Sequence, residues 1–497
     1  MTQLEPAGID RARGTRRAGF VVEIRRLLAR DRVTPLVLVI SSVWSSVFVA
    51  VAVSRHETIR SHRFDLGNMV QAVWSTAHGR PLEITIASGE QMSRLGIHVD
   101  PILALFAPLW WLFPTPLLLV VVQGIALALG ALPVAWLARR HLESSVAAVF
   151  LAAAYLLYLP IAWNAVNDFH PITLAIPLLL FAIWFLDGDR LLPFAACAAL
   201  ALLSNELIGL GVGALGVWYA LARKRRGAGA AIAVAGPLWT AICLKMIVPA
   251  FSGGHSSVFY SRFTQVGGSP AGVVEQSFTH PGTIASAIFT PQEFVYVFYR
   301  GMPLLLFFVW SPSMLAVAVP QLAINALAVN QSARLFEYQY VAGVVPFVFV
   351  ATVLGMQRFP RQRRPYGAAV ALVSVTAFFV LLYPQPGLEP FVYAAKDSPA
   401  HLRAIRSAIA EVPAGVPVST TNRIGGQMSG RRYIFSFPVR DRAEWVVVDQ
   451  RDPWLAIAGE GDSPVLLQRS VALMRTDRRF HTVSSEDGVL VFRRVSR

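Results

Sequence analysis

The chain has 497 residues, of which 55% are hydrophobic and 15% charged, and its mean hydropathy is +0.52. Soluble domains carry about 25% charged residues, so this composition excludes an ordinary soluble enzyme and points to a multi-pass membrane protein. The net charge of +15 sits in short basic loops between apolar runs, a positive-inside pattern that argues against nucleic acid as the partner.

Residues 1–34 hold eight arginines against four acids, which places this segment in the cytoplasm. The first apolar run, VTPLVLVISSVWSSVFVAVAV (33–53), is too long and too late for a cleaved signal peptide and reads as a retained anchor. Spans are expected at 35–53, 115–137, 145–162, 171–186, 190–204, 207–222, 229–250, 292–310, 313–329, 339–356 and 366–383. The basic loops at 138–141, 187–190, 223–226 and 357–365 then all fall inside. Between 190 and 222, two short spans broken at SNE (204–206) fit better than one long helix, because both ends must lie on the same side. Two long loops, 54–100 and 251–291, fall outside. From 384 the pattern becomes mixed, with helices expected at 397–413 and 463–474, the first capped by Asp397 or Ser398. Strands are expected at 416–421, 432–437, 444–450 and 488–495. The fold class is therefore an α-helical polytopic membrane protein of about 11 spans (35–383), with a small outer α/β soluble domain at 384–497. Cys197 and Cys243 both lie in apolar runs, which argues against a disulfide framework or a zinc site.

Ionisable groups in or beside apolar spans are costly and tend to mark sites. Here Asp65, His98, Asp100, Asp168, His170, Glu206, Lys245, Arg300 and Glu337 all fall on the outer side. Leu66, Met69, Val70, Val73, Trp74 and Ala77 recur at helical spacing and predict a short amphipathic helix on the membrane surface, with Asp65 at its N-cap or in a catalytic role; the two are compatible. Asp100 precedes Pro101 and reads as a helix start, which leaves His98 the functional member of GIHVDPI. NDFHPI repeats the pattern with Asp168 and His170, so Asp65, His98, Asp168 and His170 are the candidate ligands for a divalent cation. Glu206 needs a partner or a task, Lys245 can snorkel, and Arg300 suits a lipid phosphate or a buried acid such as Glu206 or Glu337. Phosphate-loop, HExxH and GxSxG motifs are all missing from the sequence, so ATP-driven transport, zinc proteolysis and serine hydrolysis lack their markers.

FDLGNMVQAVWSTAHGRPL, the HVDP segment and NDFHPITLAIPLLLFAIW together resemble the domain-of-unknown-function 2079 family of predicted membrane proteins. EYQYVAGVVPFVFVA and the tail stretch VPVSTTNRIGGQMSGRRYIFSFP extend the likeness over most of 60–450. One departure is SNEL, which keeps Glu206 where a lysine-glutamate-aspartate triplet is expected. The layout of that family is similar to integral-membrane glycosyltransferases of the GT-C type. That resemblance implies transfer of a sugar from a polyprenyl-phosphate carrier to an envelope glycan, lipid or protein on the outer face of the cytoplasmic membrane. It implies Asp65 as general base in the first external loop, with His98, Asp168, His170 and Glu206 in the same catalytic cavity. Arg300 or Lys245 would hold the lipid phosphate, and Asp100, Glu337 and Tyr338 would line the donor or acceptor pocket. No cofactor is required beyond, at most, a divalent cation. The alternatives are a transporter or lipid-linked-glycan flippase, and a non-catalytic envelope scaffold.

Overall fold

The computed structural model describes residues 32–254, 258–329, 338–382, 397–456 and 461–495. Most of the basic N-terminal segment and Glu337 lie outside the described residues. Among the described residues, four helices are long and apolar enough to cross a bilayer alone: Val33–Glu57, Leu117–Leu142, Arg226–Phe251 and Arg361–Leu382. Ser145–Leu157 and Leu159–Val166 are long and apolar enough to cross only when taken together, and they meet at a bend of 49°. The bend falls at Tyr158, which is extended, and at Pro160, which lacks an amide hydrogen. Among the described residues, six apolar helices run 10–17 residues: five occupy other expected stretches, while Pro101–Leu112 falls where no span was expected, and the chain does break between Leu202 and Ile208. The expected span 292–310 is not one helix. Pro291–Gly301 gives way to short 3-10 turns around Pro303, and Leu305 and Leu306 take left-handed backbone angles (φ 52° and 54°).

Helices Ile208–Ala222 and Arg226–Ile242 pack as a tight hairpin. A Cβ on Gly213 would meet the Pro237 ring at 2.5 Å, so a larger residue there would push the two backbones apart. The basic loops gather at one end of the bundle. Asp187 takes Arg140 (2.7 Å), His141 (3.1 Å) and Arg223 (3.6 Å), and Arg361 reaches Glu143 at 3.2 Å. The loops following the first span, at 94–100, at 167–170 and at 204–207, meet instead around one cavity.

The first long loop carries the Asn68–Ala77 helix and a hairpin of β1 (Glu83–Thr85) and β2 (Gln91–Ser93). The C-terminal region forms a five-stranded sheet in the order β4-β3-β5-β9-β8, from β3 (Val418–Thr420), β4 (Ile434–Ser436), β5 (Trp445–Asp449), β8 (Phe480–Glu486) and β9 (Val489–Arg494). β3 runs parallel to β4 and β5, whereas β9 is antiparallel to β5 and β8. β6 (Trp454–Leu455) and β7 (Gly461–Asp462) pair separately. Alternation along β5 sends Trp445 and Val447 toward helix Pro399–Glu411 and sends Val446 and Val448 toward helix Pro464–Thr476. Ser398 caps the first of these helices, accepting from the His401 amide at 3.1 Å.

This C-terminal unit interlocks with the first loop. Arg63 is fully buried and donates to Ser436 Oγ (2.5 Å), Ile434 O (2.6 Å) and Thr85 O (2.7 Å), while its own amide donates to Asn422 Oδ1 at 3.0 Å. The Asn422–Met428 helix rides close above residues 61–63: a Cβ on Gly425 would come within 2.7 Å of the Arg63 side chain, and one on Gly426 would overlap the Ser61 carbonyl. Gln71, also fully buried, donates to the carbonyls of Arg431 (3.2 Å) and Arg432 (2.8 Å) and accepts from the Thr85 amide. The Asn68–Ala77 helix is consequently not a membrane-surface helix. Asn68 through Val73 are all buried, because the hairpin and the C-terminal unit cover the face that amphipathicity assigned to water.

Candidate active site

A cavity of about 1310 Å³ opens between the helical bundle, the first loop and the C-terminal unit. Asp65 lies on its wall, in a π-helical turn (Arg63–Gly67) that follows the first span. Its side chain is 45% accessible and faces the cavity. The helix itself begins at Asn68 without a side-chain cap bond, so the N-cap reading of Asp65 does not hold. A tertiary partner has taken the carboxylate instead: His170 Nε2 stands 3.2 Å from Asp65 Oδ1.

The protonation of this pair follows from its geometry. His170 Nδ1 sits 2.9 Å from the Asp168 carbonyl, which can only accept, so Nδ1 carries a hydrogen. For Nε2 to bond a carboxylate as well, it too must carry a proton, making an imidazolium–carboxylate pair. Burial pulls the His170 pKa down, but the hydrogen bond and charge of Asp65 outweigh it and hold the value above the ordinary one. Burial pushes Asp65 up, and His170, His62 and Arg94 together pull it below the usual carboxylate range. The depressed carboxylate keeps the pair intact above the unfolded carboxylate value, about 3.9; the raised imidazole loses it as pH climbs through a value above about 6.5. Replacing His170 by Gln removes the largest influence that lowers Asp65, so the acid limb of any Asp65-dependent rate should move to higher pH. An unmoved limb in a pH–rate profile would contradict the pairing.

The loop that carries His170 is anchored from the bundle. Gln123 accepts from the His170 amide (3.0 Å) and from Thr173 Oγ1 (2.8 Å), and donates to the carbonyls of Asn164 and Asn167. Asp168 also lines the cavity and accepts from both the amide (2.8 Å) and Nδ1 (3.0 Å) of His62. Burial lowers the His62 pKa, yet the Asp168 bond and charge raise it overall. His62, Asp65 and Asp168 each offer one ligand atom, all within 4.8 Å of one another, an oxygen and imidazole set that suits a divalent cation. The group differs from the expected one, with His62 replacing His98 and His170.

His98 and Asp100 line the cavity on another side. Asp100 does precede a helix, at Pro101, but makes no cap bond. Both of its oxygens are held by Arg94, at 2.7–3.0 Å, and both residues are buried. Arg94→Leu should cost about 3–5 kcal/mol, because it strands a buried carboxylate; the Arg94→Met/Asp100→Leu double variant should recover most of that loss. Melting temperatures in detergent check this, and a single variant that melts like the wild type would refute it. Glu206 is fully buried behind the wall, not on it, with His98 Nδ1 at 3.4 Å and the Val99 amide at 2.9 Å. Glu206 therefore backs His98 as an ion pair and does not line the cavity. Tyr338 lines the cavity. Lys245 is exposed on a π-helical turn and does not line it, while the Arg300 side chain lies outside the described residues.

Several wall residues escaped the sequence reading: Arg55, His62, Asn422, Asp452 and Trp454. Arg55 lies in the last turn of the first span, and its guanidinium forms no hydrogen bond or ion pair with a described residue. The cluster SRHETIRSHRFD, dense in basic residues just ahead of Asp65, was the available signal for Arg55 and His62. Nothing local marks Asp452 or Trp454.

The fold is similar to that of ArnT from Cupriavidus metallidurans in the apo state, with a TM-score of 0.51 over 91% of this chain and 98% of that one. At 13% identity the likeness is one of fold. No curated protein matches the sequence. The family model described as predicted membrane protein (DUF2079) matches residues 55–491, a stretch that contains every cavity residue named above. The chain belongs to the DUF2079 family of predicted membrane proteins.

Proposed function

We propose that this protein is a membrane glycosyltransferase of the GT-C type, which moves a sugar from a polyprenyl-phosphate carrier to an acceptor on the outer side of the cytoplasmic membrane. One observation carries the reading: an accessible carboxylate, Asp65, set among His62, Asp168 and His170 in a large cavity at the end of the bundle away from the basic loops. The fold shared with ArnT supports the assignment. In the reaction, the acceptor hydroxyl oxygen attacks the anomeric carbon while the bond from that carbon to the phosphate oxygen breaks. Asp65 takes the hydroxyl proton. Its depressed pKa means that this transfer runs late, as the attacking oxygen becomes positive. The phosphate leaves with the electron pair, and Arg55, at the outer end of the first span, is the cation placed to stabilise it. A divalent cation held by His62, Asp65 and Asp168 would supply further charge for the leaving phosphate.

No lining residue comes from the basic loops at the other end of the bundle, so the cavity offers no observation in favour of a transport path. The test is release of polyprenyl phosphate in proteoliposomes supplied with a panel of polyprenyl-phosphate sugars and a crude envelope acceptor. Release by the wild type that depends on Asp65 supports the reading. No release from any donor, with folded protein and a competent acceptor extract, refutes it.

A further inference from the structure

The C-terminal unit contributes a wall of the cavity that the transfer step, as described, does not use. Phe64, one residue before Asp65, and Trp454, on β6, bring their rings to a centroid distance of 5.1 Å at 46°. Beside them stands Asp452, 4% exposed, with Oδ2 held by the Arg423 amide at 2.8 Å. Its other oxygen bonds no described residue, and its carboxyl is pushed up to about 6, chiefly by burial. Asn422 spends its carbonyl oxygen on the amides of Arg63 and Phe64, leaving its two amide hydrogens without a described acceptor. The indole N–H of Trp454 likewise has none. The region thus combines the Trp454 and Phe64 rings, the latter already carrying the Arg63 guanidinium over its centroid at 4.7 Å, with one acceptor and two donor groups unspent, close enough to the cluster for the charge of His62 to act on Asp452.

Resting on the transferase reading, we propose that Phe64, Asn422, Asp452 and Trp454 form the acceptor subsite and that it takes a sugar ring. A pyranose has an apolar C–H face, which an aromatic ring covers, and a rim of hydroxyls that both donate and accept. A phosphate would be repelled by Asp452, and a purely apolar chain would leave buried polar groups unpaired. The acceptor is therefore a glycan or a glycosylated molecule. Because Phe64 belongs to the first loop and the other three residues to the C-terminal unit, the subsite exists only where the two meet, which is also where Asp65 lies.

The test is saturation-transfer NMR on the full chain in nanodiscs, carrying Asp65→Asn so that no turnover intervenes, with maltose, cellobiose, mannobiose and chitobiose as probes. At least one probe should bind, and Trp454→Ala should weaken it roughly tenfold or more. Trp454→Tyr should retain most of the binding, and Asp452→Asn should weaken it without altering the melting temperature, so that misfolding of Trp454→Ala does not decide the matter. Binding by no probe, or binding indifferent to both Trp454→Ala and Asp452→Asn, overturns the proposal. Failure of the transferase reading looks different: the wild type then releases no polyprenyl phosphate, whatever the sugar binding.

Discussion

Asp65→Asn should reduce sugar transfer by roughly 10²–10⁴-fold while leaving the melting temperature within a few degrees of the wild type. The substitution keeps shape and leaves an amide oxygen to accept from His170, but it removes the base and one of the two negative charges beside His62. Its effect on stability is small because the Asp65 side chain is 45% accessible and its charged hydrogen bond is to His170, with His62 farther off at 3.9 Å. Two measurements settle it together, the initial rate of polyprenyl phosphate release and a thermal melt. A full rate in a well-folded variant would sink the base assignment. A large fall in melting temperature would show instead that Asp65 is chiefly structural.

Arg63→Ala should lower stability by about 3 kcal/mol and also lower turnover. Its guanidinium is fully buried, and burial alone pulls its pKa down to about 9, so the charge is maintained by three hydrogen bonds to oxygens and by the Phe64 ring, 4.7 Å away. Truncation leaves the carbonyls of Thr85 and Ile434 unpaired, adds a cavity the size of a long side chain and loosens the turn that carries Asp65. Arg63→Lys should recover only part, since an ammonium cannot reproduce a planar fork that spans Ser436 and two carbonyls. Chemical unfolding with turnover measured in parallel is the check. An Arg63→Ala variant as stable as the wild type would mean that the first loop and the C-terminal unit are held together by other contacts, such as those of Gln71 and Gln427.

These two residues also mark how much was legible beforehand. Asp65 was visible because a carboxylate soon after a first span stands out against apolar surroundings. Four C-terminal strands were visible as short runs rich in β-branched and aromatic residues, such as EWVVVDQ (444–450), whereas β8 (Phe480–Glu486), with its mostly polar FHTVSSE, was not. Asp65 is not a cap, and Asp100 stands at the start of its helix without a capping bond, for a common reason: such a bond is the default for a carboxylate at a helix start, and it yields when packing brings a cation. Lys245 and Glu206 share the cavity end of the bundle, yet one does not line the cavity and the other lies behind its wall. Position along the chain constrains depth in the membrane and leaves the facing of a side chain open.

By itself, the sequence determined which stretches are apolar, where the basic loops fall and where the mixed α/β region starts. These are local properties, because each run of side chains partitions between water and lipid largely on its own composition. Only the tertiary structure decided that His62 meets Asp168 across 106 residues, that Arg63 meets Ser436 across 373, and that Asp452 and Trp454 face the same cavity as Asp65. A buried polar group must find a partner, and which partner it finds depends on the elements packed around it and not on its neighbours along the chain.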